Sequence, residues 1–262
     1  MRVIDWSSFI GTYSPNTETA MTVGVFDGVH LGHQELLKRV SSLKSRYTPT
    51  VISFSRNPKD VLSPGSYEGD ILSLDQKLGY FERLGIVQTV LIDFSGIFSK
   101  LSGKEFLDFL KNRGNLRYLV IGSSFRCGYG LDMDAPAIKE ANKAEGIPTD
   151  VVPPFMAGSR PVSSSRIRTE VRAGSLAEAA ALLGRNVEID LTGIPAAPGT
   201  GGTSFDVAAV RRIMPPPGRY PVILHEKTPP PGGISAETSV IIDERGIFIP
   251  SQFNAGSVEF LT

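Results

Sequence analysis

Between residues 21 and 152 the chain alternates short β-branched runs with longer stretches of helical period, and this alternation restricts the fold more than any other feature. Strands are expected at 21–26, 50–54, 87–92, 116–121 and 149–152. Between them Leu36, Leu37, Val40 and Leu43 recur along one helix face, as do Leu74, Leu78, Phe81 and Leu84, then Phe106, Leu107, Phe109 and Leu110. Ala177, Ala180, Leu182 and Leu183 mark a last helix, which Gly184 can close because glycine accepts the left-handed conformation at a helix end. A parallel sheet joined by helices is covered on both faces, so residues 1–184 are expected to form a Rossmann-like, doubly wound α/β domain. Ligands of such sheets bind outside the carboxyl ends of the strands, which directs attention to the loops just beyond them.

After Gly184 the composition shifts. Residues 185–262 hold ten of the 19 prolines and nine of the 27 glycines, too many breakers for a helical domain. Short strands are expected at 187–191, 205–210, 220–224, 238–243, 246–250 and 257–261. Turns such as Pro215-Pro216-Pro217-Gly218 and Pro229-Pro230-Pro231-Gly232-Gly233 separate them. This segment reads as a small β-rich domain, an antiparallel barrel or an open sheet. A total of 262 residues suits one large domain or a domain and a half.

Lys plus Arg equals Asp plus Glu at 27 each, so no net field gathers nucleic acid or anionic lipid, while a local basic cluster can still hold a small anion. The single Cys127 excludes an internal disulfide and a multi-thiolate metal site, a usage that suits a reducing compartment. The first twenty residues include Asp5 and Glu18 and lack the apolar centre of a signal peptide, and no apolar run approaches a membrane span. A cytoplasmic protein with small-molecule substrates, and without nucleic-acid or membrane partners, is expected.

Most of the chemistry falls in Thr22-Val23-Gly24-Val25-Phe26-Asp27-Gly28-Val29-His30-Leu31-Gly32-His33-Gln34. A β run ends at Phe26, Gly28 and Gly32 leave room for close approach to the backbone, and a helix begins at about Leu31. Free N–H groups and the positive end of the helix dipole make this a candidate phosphate site. Two of the three histidines, His30 and His33, share one side of the first helical turn. An imidazole N–H donates in either protonation state, and a phosphate nearby favours the cation. In the competing structural reading, one histidine caps the helix and the other is exposed.

A second cluster, Val162-Ser163-Ser164-Ser165-Arg166-Ile167-Arg168, sets three hydroxyls ahead of a helical stretch at 166–172. The serines can cap that helix, and Arg166 with Arg168 can make forked contacts to phosphate. The alternative is an ordinary serine cap with arginines on a solvated face.

The first cluster resembles the His-x-Gly-His signature of the nucleotidyltransferase superfamily, and its longer Gly-x-Phe-Asp-Gly-x-His-x-Gly-His form resembles the bacterial FAD synthetases. The second is similar to that family's Ile-Ser-Ser-Thr-x-Ile-Arg signature, followed at the family's distance by an Ala-rich helix and Leu183-Gly184-Arg185. Ser53-Phe54-Ser55-Arg56-Asn57-Pro58 stands in the place of the family's Phe-x-Pro-His-Pro, with Arg56 and Asn57 replacing Pro and His. Gly122-Ser123-Ser124-Phe125-Arg126-Cys127-Gly128 resembles the family's Gly-x-(Asp/Asn)-Phe-x-Phe-Gly loop, with Ser124 at the acid or amide position and Cys127 at the second Phe.

The resemblance covers about residues 20–185 and implies transfer of an adenylyl group from ATP to FMN, giving FAD and pyrophosphate, with Mg²⁺ on the ATP oxygens. It implies His30 and His33 on the α-phosphate and leaving oxygen, Gly24, Phe26, Gly28 and Gly32 in the ATP loop, and Ser163, Ser164, Ser165 and Arg168 on the outer phosphates. On the flavin side it implies Asp27, Phe54, Asn57, Ser124, Phe125 and Arg126, and it implies no metal site built by the chain itself. The family's riboflavin kinase barrel carries Phe-Pro-Thr-x-Asn after a Gly-rich loop. The best placement here is Phe205-Asp206-Val207-Ala208-Ala209, where Val207 and Ala209 cannot offer the oxygen ligands of Mg²⁺, so the second segment resembles a degenerate kinase domain without kinase activity. Another nucleotidyltransferase, a non-catalytic flavin or nucleotide binder, and an interaction protein using its Pro-rich tail remain as alternatives.

Other polar features are expected to be structural. Cys127 has no His neighbour in sequence, Asp132 and Asp134 read as a solvated turn, and His225 as a packed or surface residue. Gly199-Thr200-Gly201-Gly202 lacks the Lys-Ser/Thr of a P-loop and reads as a linker.

Overall fold

The computed structural model describes residues 1–13, 15–94, 96, 98–206, 212–226, 235–250 and 253–262. They form two compact units: Met1–Tyr67 with Lys77–Pro161, and Glu68–Gln76 with Val162–Thr262.

The first unit carries β1 (Arg2–Asp5), β2 (Thr19–Val23), β3 (Thr48–Phe54), β4 (Gln88–Ile92), β5 (Leu116–Gly122) and β8 (Thr149–Val152), with two small hairpins. These are β6 (Arg126–Cys127) with β7 (Met133–Asp134), and β9 (Met156–Ala157) with β10 (Arg160–Pro161). The main sheet has six strands in the order β1-β4-β3-β2-β5-β8, all parallel. From β2 the chain builds outward through β3 and β4, then returns to place β5 and β8 on the other side, so the winding reverses at β2. A ligand crevice belongs at the carboxyl end of that strand.

Helices α1 (Trp6–Gly11), α2 (Leu31–Ser42), α3 (Pro58–Leu62), α4 (Leu74–Arg83), α5 (Gly103–Asn112) and α6 (Ala135–Ala144) connect the strands. All five residues of β2 are buried. Successive side chains point to opposite faces. Met21 and Val23 join Ile52, Val90, Ile92, Leu119 and Ile121 in one core with Phe9 of α1, Phe106, Leu107 and Leu110 of α5, and Ile138 of α6. On the other face α2 packs across β2, β3 and β5 and buries Leu36, Leu37 and Val40. Truncating any of these fully buried side chains costs about 2–5 kcal/mol. A capping box opens α5: the Ser102 hydroxyl accepts from Glu105 N–H at 3.3 Å while the Glu105 carboxylate accepts from Ser102 N–H at 2.9 Å.

In the second unit α7 (Ser164–Arg172) and α8 (Leu176–Leu183) precede seven strands: β11 (Glu188–Asp190), β12 (Ala196–Gly199), β13 (Gly202–Phe205), β14 (Gly218–Glu226), β15 (Ser235–Asp243), β16 (Gly246–Ile249) and β17 (Ala255–Phe260). They form one antiparallel half-barrel in the order β11-β17-β14-β15-β16-β13-β12. Val222, Leu224, Val240, Ile242, Ile247, Ile249, Val258 and Phe260 line its buried face. Arginines hold residues 68–76 in this unit. Arg168 Nε donates to Gly69 O at 2.8 Å, Arg172 pairs with Glu68, and Arg212 lies 3.8 Å from Asp70.

The doubly wound sheet and the small antiparallel domain match the expectation, and Gly184 closes α8 at φ 72°. The differences are local. β2 ends at Val23 rather than Phe26, because Phe26 has already turned into the left-handed region at φ 54°. β1, α1, α3, α6 and β12 were not anticipated: β1 buries only Ile4, α1 and α3 are six and five residues long and too short to display a helical period, α6 buries only Ala135, Ile138 and Asn142, and β12 is exposed throughout. Residues 199–202 are not a linker but the turn of a hairpin, where Gly199 pairs with Gly202 and Gly201 adopts φ 89°. The expected turn at 229–233 and the 207–210 part of an expected strand lie outside the described residues.

Gly114 sits where the chain leaves α5 for β5. A Cβ there would fall 2.3 Å from Met21 Cε, 2.7 Å from Leu110 O and 2.9 Å from Phe9 Cζ. Gly114→Ala is expected to destabilise the protein by about 1–3 kcal/mol through overpacking, read as a lower denaturant midpoint at unchanged slope.

Candidate active site

The loop that leaves β2 turns through three left-handed residues, Phe26 at φ 54°, Gly28 at 81° and Val29 at 38°. Such values cost a non-glycine residue on the order of 1–3 kcal/mol and persist only when surrounding contacts fix them. Those contacts are present. Val29 N–H donates to Phe26 O at 3.1 Å, and the Gln34 side-chain amide donates to Val29 O at 3.1 Å. Ser53 Oγ donates to Val25 O at 3.2 Å. The Phe26 ring is buried, edge-on to Phe81 at 5.6 Å and to His33 at 5.1 Å. Gly32 has close neighbours: a Cβ there would lie 3.3 Å from the His30 ring and 3.4 Å from Phe155 Cβ. At Gly24 a Cβ would meet the Phe26 ring at 3.1 Å.

His30 is the N-cap of α2, and its Nδ1 accepts the His33 N–H at 3.3 Å. That bond puts the ring proton on Nε2, so capping and anion binding are compatible in one residue: one nitrogen holds the helix and the other is a donor. The two imidazoles stack with centroids 3.6 Å apart and planes within 18°. His33 Nδ1 is shut off from solvent with no hydrogen-bond partner among the described residues. Burial, then His30 and the Lys77 ammonium, push the His33 pKa well below its ordinary value, so this ring is neutral at physiological pH.

Lys77, which no motif pointed to, is buried beneath the loop and donates to Phe54 O at 2.8 Å and Val25 O at 3.4 Å. Its signal was available: Lys77 interrupts the stripe of Leu74, Leu78 and Phe81, where an apolar residue is expected.

Among the flavin-side candidates, Phe54 packs edge-on with Phe94 at 5.8 Å and Phe98 at 6.0 Å. Asp27 and Asn57 are buried, and Asn57 caps α3 by accepting from Lys59 N–H at 3.2 Å. Arg56 pairs with Asp60 at 2.7 Å. Phe125 leans on the core, whereas Ser124 and Arg126 are exposed. Cys127 is partly buried and its thiol is pushed up to about 12, first by burial and then by Asp132, which removes it as a nucleophile. Asp132 accepts from Gly103 N–H at 2.9 Å and Asp134 caps α6 by accepting from Ala137 N–H at 3.1 Å, so both serve the backbone.

In the second unit Ser163 caps α7 by accepting from Arg166 N–H at 3.2 Å, Ser164 is half-buried and Ser165 exposed. Arg168 is buried with its Nε committed to Gly69, which anchors the guanidinium. His225 bonds Glu259 across two strands at 2.8 Å. Among the described residues no helix is long and apolar enough to cross a membrane, and no group of three His, Cys, Asp or Glu side chains could hold a metal.

Residues 13–166 match the family described as FAD synthetase. An FAD synthetase of Listeria monocytogenes is 32% identical over 179 residues, 66% of this chain and 72% of that protein. The bifunctional riboflavin kinase/FMN adenylyltransferase of Escherichia coli K12 is 26% identical over 215 residues, covering 80% and 69%, and that of Bacillus subtilis 30% over 173 residues, covering 64% and 54%. The matches thus span from about half to under three quarters of these relatives. A crystal structure described as a macrolide-efflux protein from Streptococcus pneumoniae shares the fold with a TM-score of 0.78 over 100% of this chain and 90% of that one, at 22% identity.

The thiol makes a direct test of the structural role of Cys127. At about pH 8 a pKa of about 12 leaves so little thiolate that alkylation by iodoacetamide is expected to be on the order of a thousandfold slower than for a free cysteine, and to become normal on unfolding.

Proposed function

The chain belongs to the FAD synthetase family, and from that premise we propose that it is an FMN adenylyltransferase, making FAD and pyrophosphate from FMN and ATP. The observation that carries this reading is the stacked His30–His33 pair at the N-terminus of α2, beyond the carboxyl end of the strand where the sheet reverses. That position combines the positive end of a helix dipole and two imidazole rings around one place for an anion.

In the proposed reaction a phosphate oxygen of FMN attacks the α-phosphorus of ATP in line. The bond from that phosphorus to the bridging oxygen breaks, pyrophosphate departs, and no covalent enzyme intermediate forms. The chain contributes position and charge stabilisation. His30 Nε2–H and the neutral His33 ring donate to the α-phosphate and to the leaving oxygen, where negative charge grows. Gly24, Phe26, Gly28 and Gly32 shape the backbone that ATP approaches. Ser163, Ser164, Ser165 and Arg168 serve the β- and γ-phosphates. Asp27, Phe54, Asn57, Ser124, Phe125 and Arg126 form the flavin side. Mg²⁺ bound with ATP would neutralise charge on the triphosphate.

We assign the transferase to residues 1–184 and read 185–262 as a degenerate riboflavin kinase-like domain, in a cytoplasmic enzyme. Val207 and Ala209 stand where the kinase needs a hydroxyl and an amide.

Incubation with FMN, ATP and Mg²⁺ is expected to yield FAD and pyrophosphate. His30→Ala and His33→Ala are each expected to lower kcat on the order of a hundredfold with little change in FMN affinity, as for loss of one oriented donor; near-normal turnover in both removes the pair from the mechanism. Riboflavin with ATP and Mg²⁺ is expected to give no FMN, and phosphorylation at a rate comparable to adenylylation would refute the reading of the second segment.

A further inference from the structure

The loop that carries the two histidines is strained, and α4 holds it at two points four residues apart. Lys77 donates to the Val25 carbonyl, where the loop begins, and Phe81 packs its ring against Phe26 at 5.6 Å, the first left-handed residue. The same ammonium donates to Phe54 O at the end of β3, and Ser53 Oγ of that strand also donates to Val25 O. An ammonium loses several kcal/mol of solvation on burial, and a side chain of its length could reach solvent from most helix positions. Lys77 instead remains 8% exposed. A methionine would fill the same stripe without that penalty, so packing alone does not account for the residue.

Resting on the adenylyltransferase reading, we propose that Lys77 is a positioning residue for the transfer: its ammonium group ties the end of β3 to the start of the His30–His33 loop and fixes that loop in its left-handed conformation. The lysine touches backbone and acts on the nucleotide through the loop. Its charge has a second consequence. A cation under the loop adds to the positive end of the α2 dipole at the place an anion would occupy, and it opposes a second positive charge on His33. The groups that bear on His33 are His30 from its own loop and Lys77 from α4, with Asp27 as the carboxylate of the same loop. His33 is thereby kept as a neutral donor ahead of substrate binding.

The test compares wild type, Lys77→Met, which keeps the stem and removes the charge and donors, Lys77→Arg, which keeps both, and Ser53→Ala, which removes the other side-chain donor to Val25 O. The His33 imidazole is titrated by NMR in the substrate-free protein, and FAD formation is followed under steady state. In Lys77→Met the His33 pKa is expected to rise, with kcat falling on the order of 10- to 100-fold and KM for FMN within about threefold; Lys77→Arg recovers most of kcat and the low His33 pKa. Ser53→Ala is expected to lower kcat by about three- to tenfold with the His33 pKa unchanged, and Lys77→Gln, which removes the charge but keeps a donor, serves as the deciding variant if Lys77→Met does not fold. An unchanged His33 titration together with kcat within about twofold of wild type, in a folded Lys77→Met or failing that in Lys77→Gln, overturns the proposal. If wild type makes no FAD, the transferase reading fails by itself, and the titration without substrates still decides whether Lys77 governs the loop.

Discussion

A parallel sheet has no face to give to water, and the middle strand of this one, Thr19–Val23, is buried at every position. The strand can only discharge its chain at its carboxyl end, into a crevice that the reversal of winding leaves open. Cores on both faces fix where that end lies. The chain beyond Val23 has to turn within a few residues to start α2, and the turn requires left-handed backbone at Phe26, Gly28 and Val29. The strain therefore sits beside the histidines, and the contacts that sustain it come from the neighbouring strand end and from α4.

Several of the candidate residues are held to the scaffold through one identified side-chain atom. His30 caps α2 through Nδ1, which settles the proton on Nε2. Arg168 anchors its guanidinium through Nε on Gly69. Asn57 caps α3 with its side-chain oxygen. Fixing one end of a side chain removes rotamer freedom before a ligand arrives, so binding has less order to create. A structural role and a functional one are therefore not competing explanations for such residues.

The parts of the fold that were legible in the sequence are those with strong periodicity. Strands with a strong apolar segment, such as Leu116–Gly122 with Leu119, Val120 and Ile121, and helices with a full apolar stripe, such as α5, fall where their pattern places them. Elements held by few apolar contacts escaped, as β1, α6 and β12 did. At the site, the His30–His33 loop and the Ser163 cap could be read from spacing, because helix starts have a local chemistry. Lys77 could not be assigned a role in that way, since its partners are carbonyls of Val25 and Phe54, residues 52 and 23 positions away, and carbonyls carry no sequence signature. The replacements at Asn57 and Cys127 become intelligible only with coordinates: one is a helix cap and the other a small, protonated side chain leaning on the core.

Residues Glu68–Gln76 belong to the second unit although first-unit chain flanks them on both sides. On the ribosome this nine-residue segment emerges about 90 residues ahead of the helix whose arginines receive it, a delay on the order of 5–20 seconds at typical synthesis rates. The nascent first unit has to close around an excursion that is still waiting for its partners. The two units are therefore not two consecutive lengths of chain: a gene divided after Pro161 would deliver a second piece without the stretch of backbone that Arg168, Arg172 and Arg212 hold, and a first piece carrying that stretch without these partners.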